Sequence, residues 1–484
     1  MNGSLTPLYL AGLPKPWATP LVPPLSEQIA AQRCTVVVLD DDPTGTQTAH
    51  GVPVLTRWDV DTIAAELAAG PPALYLLTNS RSLDPTRAAD INVRTGRQVR
   101  AAAEVARRRV VVVSRGDSTL RGHFPDETQA LAEGLGGGFD GVLLVPAFLE
   151  AGRVTVDGRH WVADAGGWMP VGRTPYARDA TFGFTSSDLP DWVAERSGGR
   201  IPRQDVQVLT AWELRRGGPA AVAGRLRRLR DGAVCACDVA HPADLEVLVA
   251  GVLAAEAAGA RLLYRTAASF VRVRAGLPPR GLLTVAELGL RRPADAGGLV
   301  VVGSHVPATT AQLDRLLADL SVIGIHVDAA RLAGSEQQVR AEVDRVAELA
   351  GDAVAAGCTA VVHTSRTVLT APSAALALAR SVRVSAGLVQ IVGRIPVRPA
   401  FVVAKGGITS SDVAADGLGI SRADVLGQVL PGVPVWRAGA DSRFPGLTYV
   451  VFPGNVGGPD DLLAVVKMLD GSGGQEGADD CTAE

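Results

Sequence analysis

The chain has 484 residues, of which 47% are hydrophobic and only 4% aromatic, and its formal net charge at pH 7 is −3. This length exceeds that of one ordinary core and predicts two domains. A charge so close to zero offers no basic footprint, so we expect neither a nucleic-acid nor a membrane partner.

The apolar runs are short, and none approaches the 18 residues that a membrane-crossing helix needs. The first residues lack the charged and apolar stretches of a secretion signal. The five cysteines include no CxxC pair, and the seven histidines are scattered singly, so a zinc site is not expected. We therefore expect a cytoplasmic protein with reduced thiols.

In the first half, β-branched apolar runs alternate with alanine-rich helical patterns, which is typical of βαβ units. RVVVVS at 109–114 contains four consecutive valines, which are too few for a helix and indicate a strand buried on both faces of a parallel sheet. We predict strands at 35–40, 73–78, 109–114, 141–145 and 232–238, and helices near 60–69, 86–106, 125–134, 211–230 and 241–258.

The second half repeats this alternation. Its predicted strands are 298–302, 323–328, 358–363, 400–404 and 448–452, and its predicted helices are 307–320, 335–356, 372–391, 410–416 and 458–470. The fold class that follows is α/β, with two α/β domains whose largely parallel sheets face an interdomain cleft.

Composition suggests where the domains begin and end. Residues 151–210 are rich in Gly, Pro, Asp and Trp and predict a long excursion with additional ligand contacts. The predicted segments are an extended proline-rich arm at 1–30, a first domain at 31–275, a linker at 276–297, a second domain at 298–470 and a flexible tail at 471–484.

An acidic loop follows the first strand, at Asp40, Asp41 and Asp42, and continues through Thr44 and Gly45. Ligands of open α/β sheets bind at the carboxyl ends of the strands. Adjacent carboxylates repel one another, so their pKa values rise unless a cation or hydrogen-bond donors compensate. The loop suits proton transfer from a hydroxyl, or hydroxyl or metal binding. The alternative is an Asp-rich turn that caps the next helix.

Two arginine-bearing loops also follow predicted strands. Arg81 lies after the run ALYLL, and the loop SRGDSTLRGH carries Arg115, Asp117, Ser118 and Arg121. Arginine binds carboxylates through paired charge-assisted hydrogen bonds, and Asp and Ser bind hydroxyls, so these loops suit a sugar acid. The alternative for Arg115 and Arg121 is structural ion pairing with the acidic loop.

Three glycine-rich turns lie between strands and helices in the second half: GSH at 303–305, KGGIT at 405–409 and PGNVGG at 453–458. Glycine allows the backbone to approach a phosphate, hydroxyls and amides satisfy its oxygens, and Lys405 supplies charge. Three such turns indicate a nucleotide site, although the chain has neither a P-loop nor a Rossmann fingerprint.

Together these motifs resemble the four-carbon acid sugar kinase family, over about residues 34 to 470. DDPTGTQT resembles the family's DD-x-TG signature, and SRGDSTLRG resembles its DSTLRG loop. The turns VVGSH, AKGGIT and PGNVGG resemble its nucleotide motifs. The resemblance implies a first domain that binds the acid sugar and a second that binds ATP.

By this resemblance and the reasoning above, the substrate residues are Asp41, Asp42, Thr44, Gly45, Arg81, Arg115, Gly116, Asp117, Ser118 and Arg121. The predicted nucleotide residues are Ser304, Lys405, Gly406, Gly407, Ile408, Thr409, Gly454 and Asn455. Ile408 departs from the family pattern, which often has an acid there, and so do His305 and Pro453.

The predicted reaction transfers the γ-phosphoryl group of ATP, with Mg²⁺, to the terminal hydroxyl of a tetronate or oxo-tetronate. Asp117 or Asp41 accepts the hydroxyl proton, and the sequence does not decide between them. The alternatives are an aldolase or isomerase acting on similar acids, and a binding protein for small sugar acids. The motifs leave the oligomeric state open, and a homo-oligomer is compatible with them.

Overall fold

The computed structural model describes residues 12–164, 167–290, 296–365 and 374–471. The chain divides into two compact units, the first formed by Met1–Pro53 and Trp58–Pro279, the second by Val54–Arg57 and Arg280–Glu484. Both units are α/β with largely parallel sheets, as predicted. The cleft between them stays a prediction.

The main sheet of the first unit is parallel, with strand order β3-β1-β4-β11-β5-β10-β9. The strands that begin in this unit are β1 (Cys34–Asp40), β2 (Val52–Leu55), β3 (Ala73–Leu77), β4 (Arg109–Arg115), β5 (Gly141–Val145), β6 (Arg153–Val156), β7 (Arg159–Asp164), β8 (Gly167–Pro170), β9 (Gln207–Leu209), β10 (Ala233–Cys237) and β11 (Leu262–Thr266). All five predicted strands are present, whereas β11 was not predicted.

The helices of the first unit are α1 (Val22–Ala31), α2 (Val60–Ala69), α3 (Pro85–Val105), α4 (Asp126–Gly134), α5 (Leu189–Arg196), α6 (Ala211–Leu226), α7 (Pro242–Ala257) and α8 (Ala268–Arg274). Helix α1 corrects the prediction of an extended arm at 1–30. Prolines in its first turn are compatible with a helix start, and Leu25 and Ile29 are buried. Residues 1–11 of the predicted arm lie outside the described residues.

The predicted excursion at 151–210 contains a three-stranded antiparallel sheet, β6-β7-β8, and helix α5. Strands β6 and β7 are joined by Asp157 and Gly158, which both have positive φ. This Asp-Gly pair is a strong hairpin signal. The excursion therefore has regular structure of its own.

In the second unit the sheet order is β13-β14-β12-β15-β18-β17-β16, parallel except for the pairs that involve β17. Its strands are β12 (Leu299–Val302), β13 (Val322–Val327), β14 (Thr359–Thr364), β15 (Phe401–Lys405), β16 (Arg422–Leu430), β17 (Val433–Ala438) and β18 (Thr448–Phe452). Its helices are α9 (Val285–Leu288), α10 (Pro307–Leu317), α11 (Ala329–Leu332), α12 (Glu336–Ala355), α13 (Ala374–Arg394), α14 (Gly407–Asp412) and α15 (Asp461–Asp470), with a π-helix at Val413–Gly417.

The predicted linker at 276–297 is partly integrated into the second unit. Helix α9 lies inside it, and Leu283 and Leu288 are buried in the core of that unit. Parts of three predicted segments lie outside the described residues: 291–295 of the linker, 372–373 of the predicted helix at 372–391 and 472–484 of the tail. Within the described ranges, no helix is both long enough and apolar enough to cross a membrane.

Strand register places the ends of the parallel strands side by side. In the first unit, Asp40 is aligned with both Leu77 and Arg115, and Arg115 with Thr266. In the second unit, Lys405 is aligned with Val302 and Phe452. The loops singled out by sequence therefore meet at the carboxyl edge of their own sheet, where ligands of α/β proteins bind.

Candidate functional site

The acidic loop begins at the end of β1, a strand whose residues are all buried. Asp40 and Asp41 are fully buried, and Asp42 caps the 3₁₀ turn Pro43–Thr48. Its carboxylate accepts hydrogen bonds from the Thr44 amide at 2.8 Å and the Thr44 hydroxyl at 2.5 Å. The alternative interpretation, an Asp-rich turn that caps the next helix, therefore applies to Asp42, which caps a 3₁₀ turn.

Arg81 makes a two-pronged ion pair with Asp41. Its Nη2 and Nε lie 2.5 and 3.2 Å from the two oxygens of that carboxylate, and its Nη1 lies 3.0 Å from Asp42. Such paired bonds fix a guanidinium in both position and orientation. Arg81 thus offsets part of the negative charge of Asp41 and Asp42 and is itself only slightly exposed.

Arg115 occupies the neighbouring strand end and lies 3.3 Å from Asp40 Oδ1 and 3.9 Å from Asp41 Oδ1. Its pairing with the acidic loop matches the structural alternative given above. Arg121 differs, because it pairs with Asp117 at 2.7 Å and lies 3.8 Å from Asp179. Its guanidinium also lies over the Tyr176 ring.

The carboxyl groups of this site differ in pKa. Burial raises the pKa of Asp40 to about 7, although Arg115 opposes the shift. Burial also acts to raise the pKa values of Asp117 and Asp42. The positive charge of Arg121 nevertheless holds the pKa of Asp117 below its ordinary value, and the charge of Arg81 does the same for Asp42. Buried groups with opposed shifts are typical of functional sites.

A histidine that the sequence analysis did not predict binds the backbone of the loop SRGDSTLRG. His160, on β7, is fully buried, and its Nε2 donates to the Ser118 carbonyl at 2.8 Å. Its Nδ1 then accepts from the Thr155 hydroxyl at 2.9 Å. Burial lowers the pKa of His160 to about 4, so the ring is neutral near pH 7.

Two glycines of this site contact side chains directly. A Cβ atom added to Gly45 would lie 1.7 Å from Asp40 Oδ2, and one added to Gly116 would lie 2.3 Å from Arg265 Nη2. A small pocket beside the second contact is lined by Gly116, Asp117, Leu120, Arg121, Leu144, Pro146, Trp192, Arg265 and Thr266. The structure thus adds Arg265 to the predicted residues.

The glycine-rich turns of the second unit pack against one another. Thr309 donates to the Gly454 carbonyl at 2.8 Å, and the Gly406 amide donates to the Phe452 carbonyl at 2.8 Å. A Cβ atom at Gly454 would lie 2.8 Å from Ser304 Oγ. There is therefore no room for a larger side chain at position 454. The hydrogen bonds and close contacts join the three turns into one surface.

Of the other predicted nucleotide residues, Ile408 and Asn455 are exposed, whereas Thr409 is buried. A Cβ atom at Gly303 would lie 2.3 Å from Thr409 Oγ1, so this hydroxyl packs on the turn of β12. Gly406 has a φ of 122°, which favours glycine, and Gly407 begins helix α14.

Lys405 contacts the third glycine-rich turn. Its side chain is fully buried, and Nζ donates to the Pro453 carbonyl at 2.7 Å and to the Val456 carbonyl at 3.3 Å. Nζ also lies 3.9 Å from the centre of the Phe452 ring. Burial lowers the pKa of this lysine to about 7. Lys405 thus anchors the 453–458 turn, and its role in supplying charge to phosphates stays a prediction.

Among the described residues, no group of three or more His, Cys, Asp or Glu side chains is arranged to hold a metal ion. Each of the three carboxylates of the acidic loop instead pairs with an arginine. These residues therefore do not fit a dedicated Mg²⁺ cage.

Comparison with known families assigns both units. Residues 36–274 match a family model described as a sugar-binding N-terminal domain, and residues 299–462 match a nucleotide-binding C-terminal domain. These matches define a two-domain protein in which a sugar-binding unit precedes a nucleotide-binding unit. The chain belongs to the four-carbon acid sugar kinase family.

Solved structures share the fold. A Salmonella typhimurium LT2 protein, provisionally described as a tRNA synthase, aligns with a TM-score of 0.64 at 18% identity, over 89% of this chain and 98% of its own. A Haemophilus influenzae protein of the family DUF1537 aligns with a TM-score of 0.58 at 15% identity, over 90% and 99% of the two chains. A search of curated proteins finds no match to the chain.

Proposed function

We propose that this protein is an ATP-dependent kinase that phosphorylates the terminal hydroxyl of a four-carbon sugar acid, a tetronate or oxo-tetronate. The observation that carries the proposal is the first unit's site, where Asp117 and Arg121 form an ion pair beside a small pocket at the carboxyl edge of a parallel sheet. The family match supports the pairing of this site with a nucleotide-binding unit.

In this proposal Arg121 binds the substrate carboxylate and Asp117 accepts the proton of the attacking hydroxyl. Asp117 is preferred to Asp41 because its side chain is 12% exposed, whereas that of Asp41 is fully buried and held by Arg81. Asp41, Arg81 and Arg115 then maintain the shape and charge of the site. Phosphoryl transfer depends mainly on positioning and charge stabilisation, which such a preformed site provides.

The turns at Ser304, Gly406 and Gly454 are proposed to bind the phosphates of ATP, with Lys405 anchoring the third turn. Mg²⁺ is assigned to the nucleotide, since Mg²⁺ in kinases is held largely by substrate phosphates. When bound, the ion neutralises charge on the β- and γ-oxygens.

The test is ATP consumption by the purified protein against D- and L-threonate, D- and L-erythronate and their oxo forms. Turnover of one acid supports the kinase and identifies the stereochemistry. Conversion of an acid without ATP would favour an aldolase or isomerase, and binding without any conversion would favour a binding protein.

The proton acceptor is tested by two matched substitutions. Asp117→Asn is expected to lower kcat by about 10²–10⁴-fold, the usual contribution of a general base, with ADP affinity unchanged. Asp41→Asn should lower thermal stability as well, because Arg81 keeps Asp42 but loses its two-pronged ion pair with Asp41. Normal turnover by Asp117→Asn would overturn the assignment in favour of Asp41.

A further inference from the structure

Arg265 lies near the carboxyl end of β11, a strand that the sequence did not predict. It is aligned with Ser114 of β4 and is only 5% exposed. A buried guanidinium must satisfy its charge and its donors within the protein. The groups that contact the Arg265 guanidinium therefore indicate its role in the protein.

The guanidinium of Arg265 bridges two buried carboxylates from different elements. Its Nη1 donates to the Ser114 hydroxyl at 2.9 Å and lies 3.5 Å from Glu127 Oε1, while its Nη2 lies 3.7 Å from Asp41 Oδ2. Glu127 also accepts from the Ser80 hydroxyl at 3.1 Å. Arg265 thus joins the acidic loop to helix α4.

The loop 116–122 packs on the same guanidinium. Added Cβ atoms at Gly116 and Gly122 would lie 2.3 and 2.9 Å from Arg265 Nη2. The Gly116 amide donates to the carbonyl of the next residue, Thr266, at 2.9 Å. Both glycines of the loop therefore contact Arg265, and the side chain lies between this loop and Asp41.

We propose that Arg265 is a positioning residue of the sugar-acid site, which holds loop 116–122 in place and compensates the charges of Asp41 and Glu127. Through the loop it fixes Asp117 and Arg121. This inference rests on the proposed function for its catalytic consequence only, because the packing and charge contacts exist without substrate.

The first test is a double-mutant cycle between Arg265→Gln and Gly116→Ala. If loop 116–122 packs on the Arg265 guanidinium, Gly116→Ala displaces the loop in the native protein. In Arg265→Gln the guanidinium is absent, so the same substitution should displace the loop little. We expect Gly116→Ala to lower kcat/KM about tenfold in the native background and less than about twofold in the Arg265→Gln background. KM for ATP should not change. Equal effects in both backgrounds would overturn the proposal.

The second test needs no substrate and uses the free energy of unfolding against pH. Facing Glu127 are Arg265, Asp41, Ser80 and His123, and facing Asp41 are Arg81, Arg115, Arg265 and Glu127. Burial already raises the pKa of Glu127, and loss of Arg265 raises it further.

A carboxyl group whose pKa is raised in the folded protein loses stabilisation as the pH rises above its unfolded pKa. The instability of Arg265→Gln relative to the native protein should therefore grow as the pH rises above about 4. In Arg265→Gln/Glu127→Gln this growth should largely disappear. A pH-independent deficit, or one that the second substitution leaves unchanged, would overturn the charge role.

These outcomes separate the two proposals. If the native protein phosphorylates none of the acids, the proposed function fails, while the same cycle measured on unfolding free energy still decides whether Gly116 and Arg265 are coupled. If turnover is found but the cycle is additive, the kinase stands and the role of Arg265 falls.

Discussion

Gly45 shows how closely the residues of the acidic loop are fitted. Its Cα lies against the carboxyl group of Asp40, which is fully buried and has one oxygen without a hydrogen-bond partner among the described residues. A buried carboxyl group in such a place has little freedom to move aside, because Arg115 holds its other oxygen.

Gly45→Ala is therefore expected to destabilise the protein by about 1–3 kcal/mol, the usual cost of inserting atoms into a packed interior. The matched control is Gly224→Ala on helix α6, where an added Cβ meets nothing within 4 Å. That change should stabilise by about 0.5–1 kcal/mol. Urea unfolding of both variants is the measurement, and equal midpoints would contradict this account.

At the residue scale, sequence identified the members of the site that lie close together along the chain. Asp41, Asp42 and Arg115 directly follow or end buried strands, so strand patterning points to them. Arg265, Glu127 and His160 were missed. Each enters the site through tertiary contacts with distant segments: Arg265 and Glu127 contact Asp41 or each other, and His160 contacts Ser118. No local pattern marks such residues.

At the scale of elements, most predicted strands were found because they are continuous apolar runs buried on both faces, as in β1, β12 and β15. Strand β13 is an exception, since it is partly exposed. Strand β11 interrupts its apolar run with Tyr264 and Arg265, and β16 alternates buried with half-buried residues, so neither gives that signal. The Asp157–Gly158 turn was a readable signal for the β6–β7 hairpin, and the prediction overlooked it.

The turn after β18 depends on one buried lysine from β15. Lys405 donates to two carbonyls of that turn, so Lys405→Met should release it while preserving much of the buried volume. We expect weaker ADP binding, since Gly454 and Asn455 lie in the released segment. Unchanged ADP affinity would contradict the anchoring role.

The same lysine gives a pH dependence with a defined sign. Its folded pKa of about 7 lies below the ordinary value of 10.5, so the unfolded chain binds more protons between these values. Stability of the native protein relative to Lys405→Met should therefore rise from pH 7 to about pH 10. Denaturant unfolding of both proteins across this range is the measurement, and a flat or falling difference would show that the lysine stays charged when folded.

At the scale of the whole molecule, each unit carries its own set of loops at the carboxyl edge of its own sheet. The acidic and arginine loops belong to the first unit, and the three glycine-rich turns belong to the second. The division into two α/β units was predictable from the alternation of strands and helices. The assignment of Val54–Arg57 to the second unit was not, because a four-residue exchange leaves no trace in composition.

This division predicts that binding of the sugar acid and binding of ADP can be lost separately. Arg121→Gln removes a charge-assisted pair worth about 1.5–3 kcal/mol, so the sugar acid should bind at least about tenfold more weakly while ADP binding stays normal. Gly454→Val should do the reverse, because even its Cβ would lie 2.8 Å from Ser304 Oγ and 3.6 Å from Val306 Cγ2. Calorimetric titration of each variant with each ligand, alongside thermal unfolding to verify the fold, measures all four affinities. If either variant loses both ligands while remaining folded, the sites are coupled, and the assignment of one ligand to each unit is wrong.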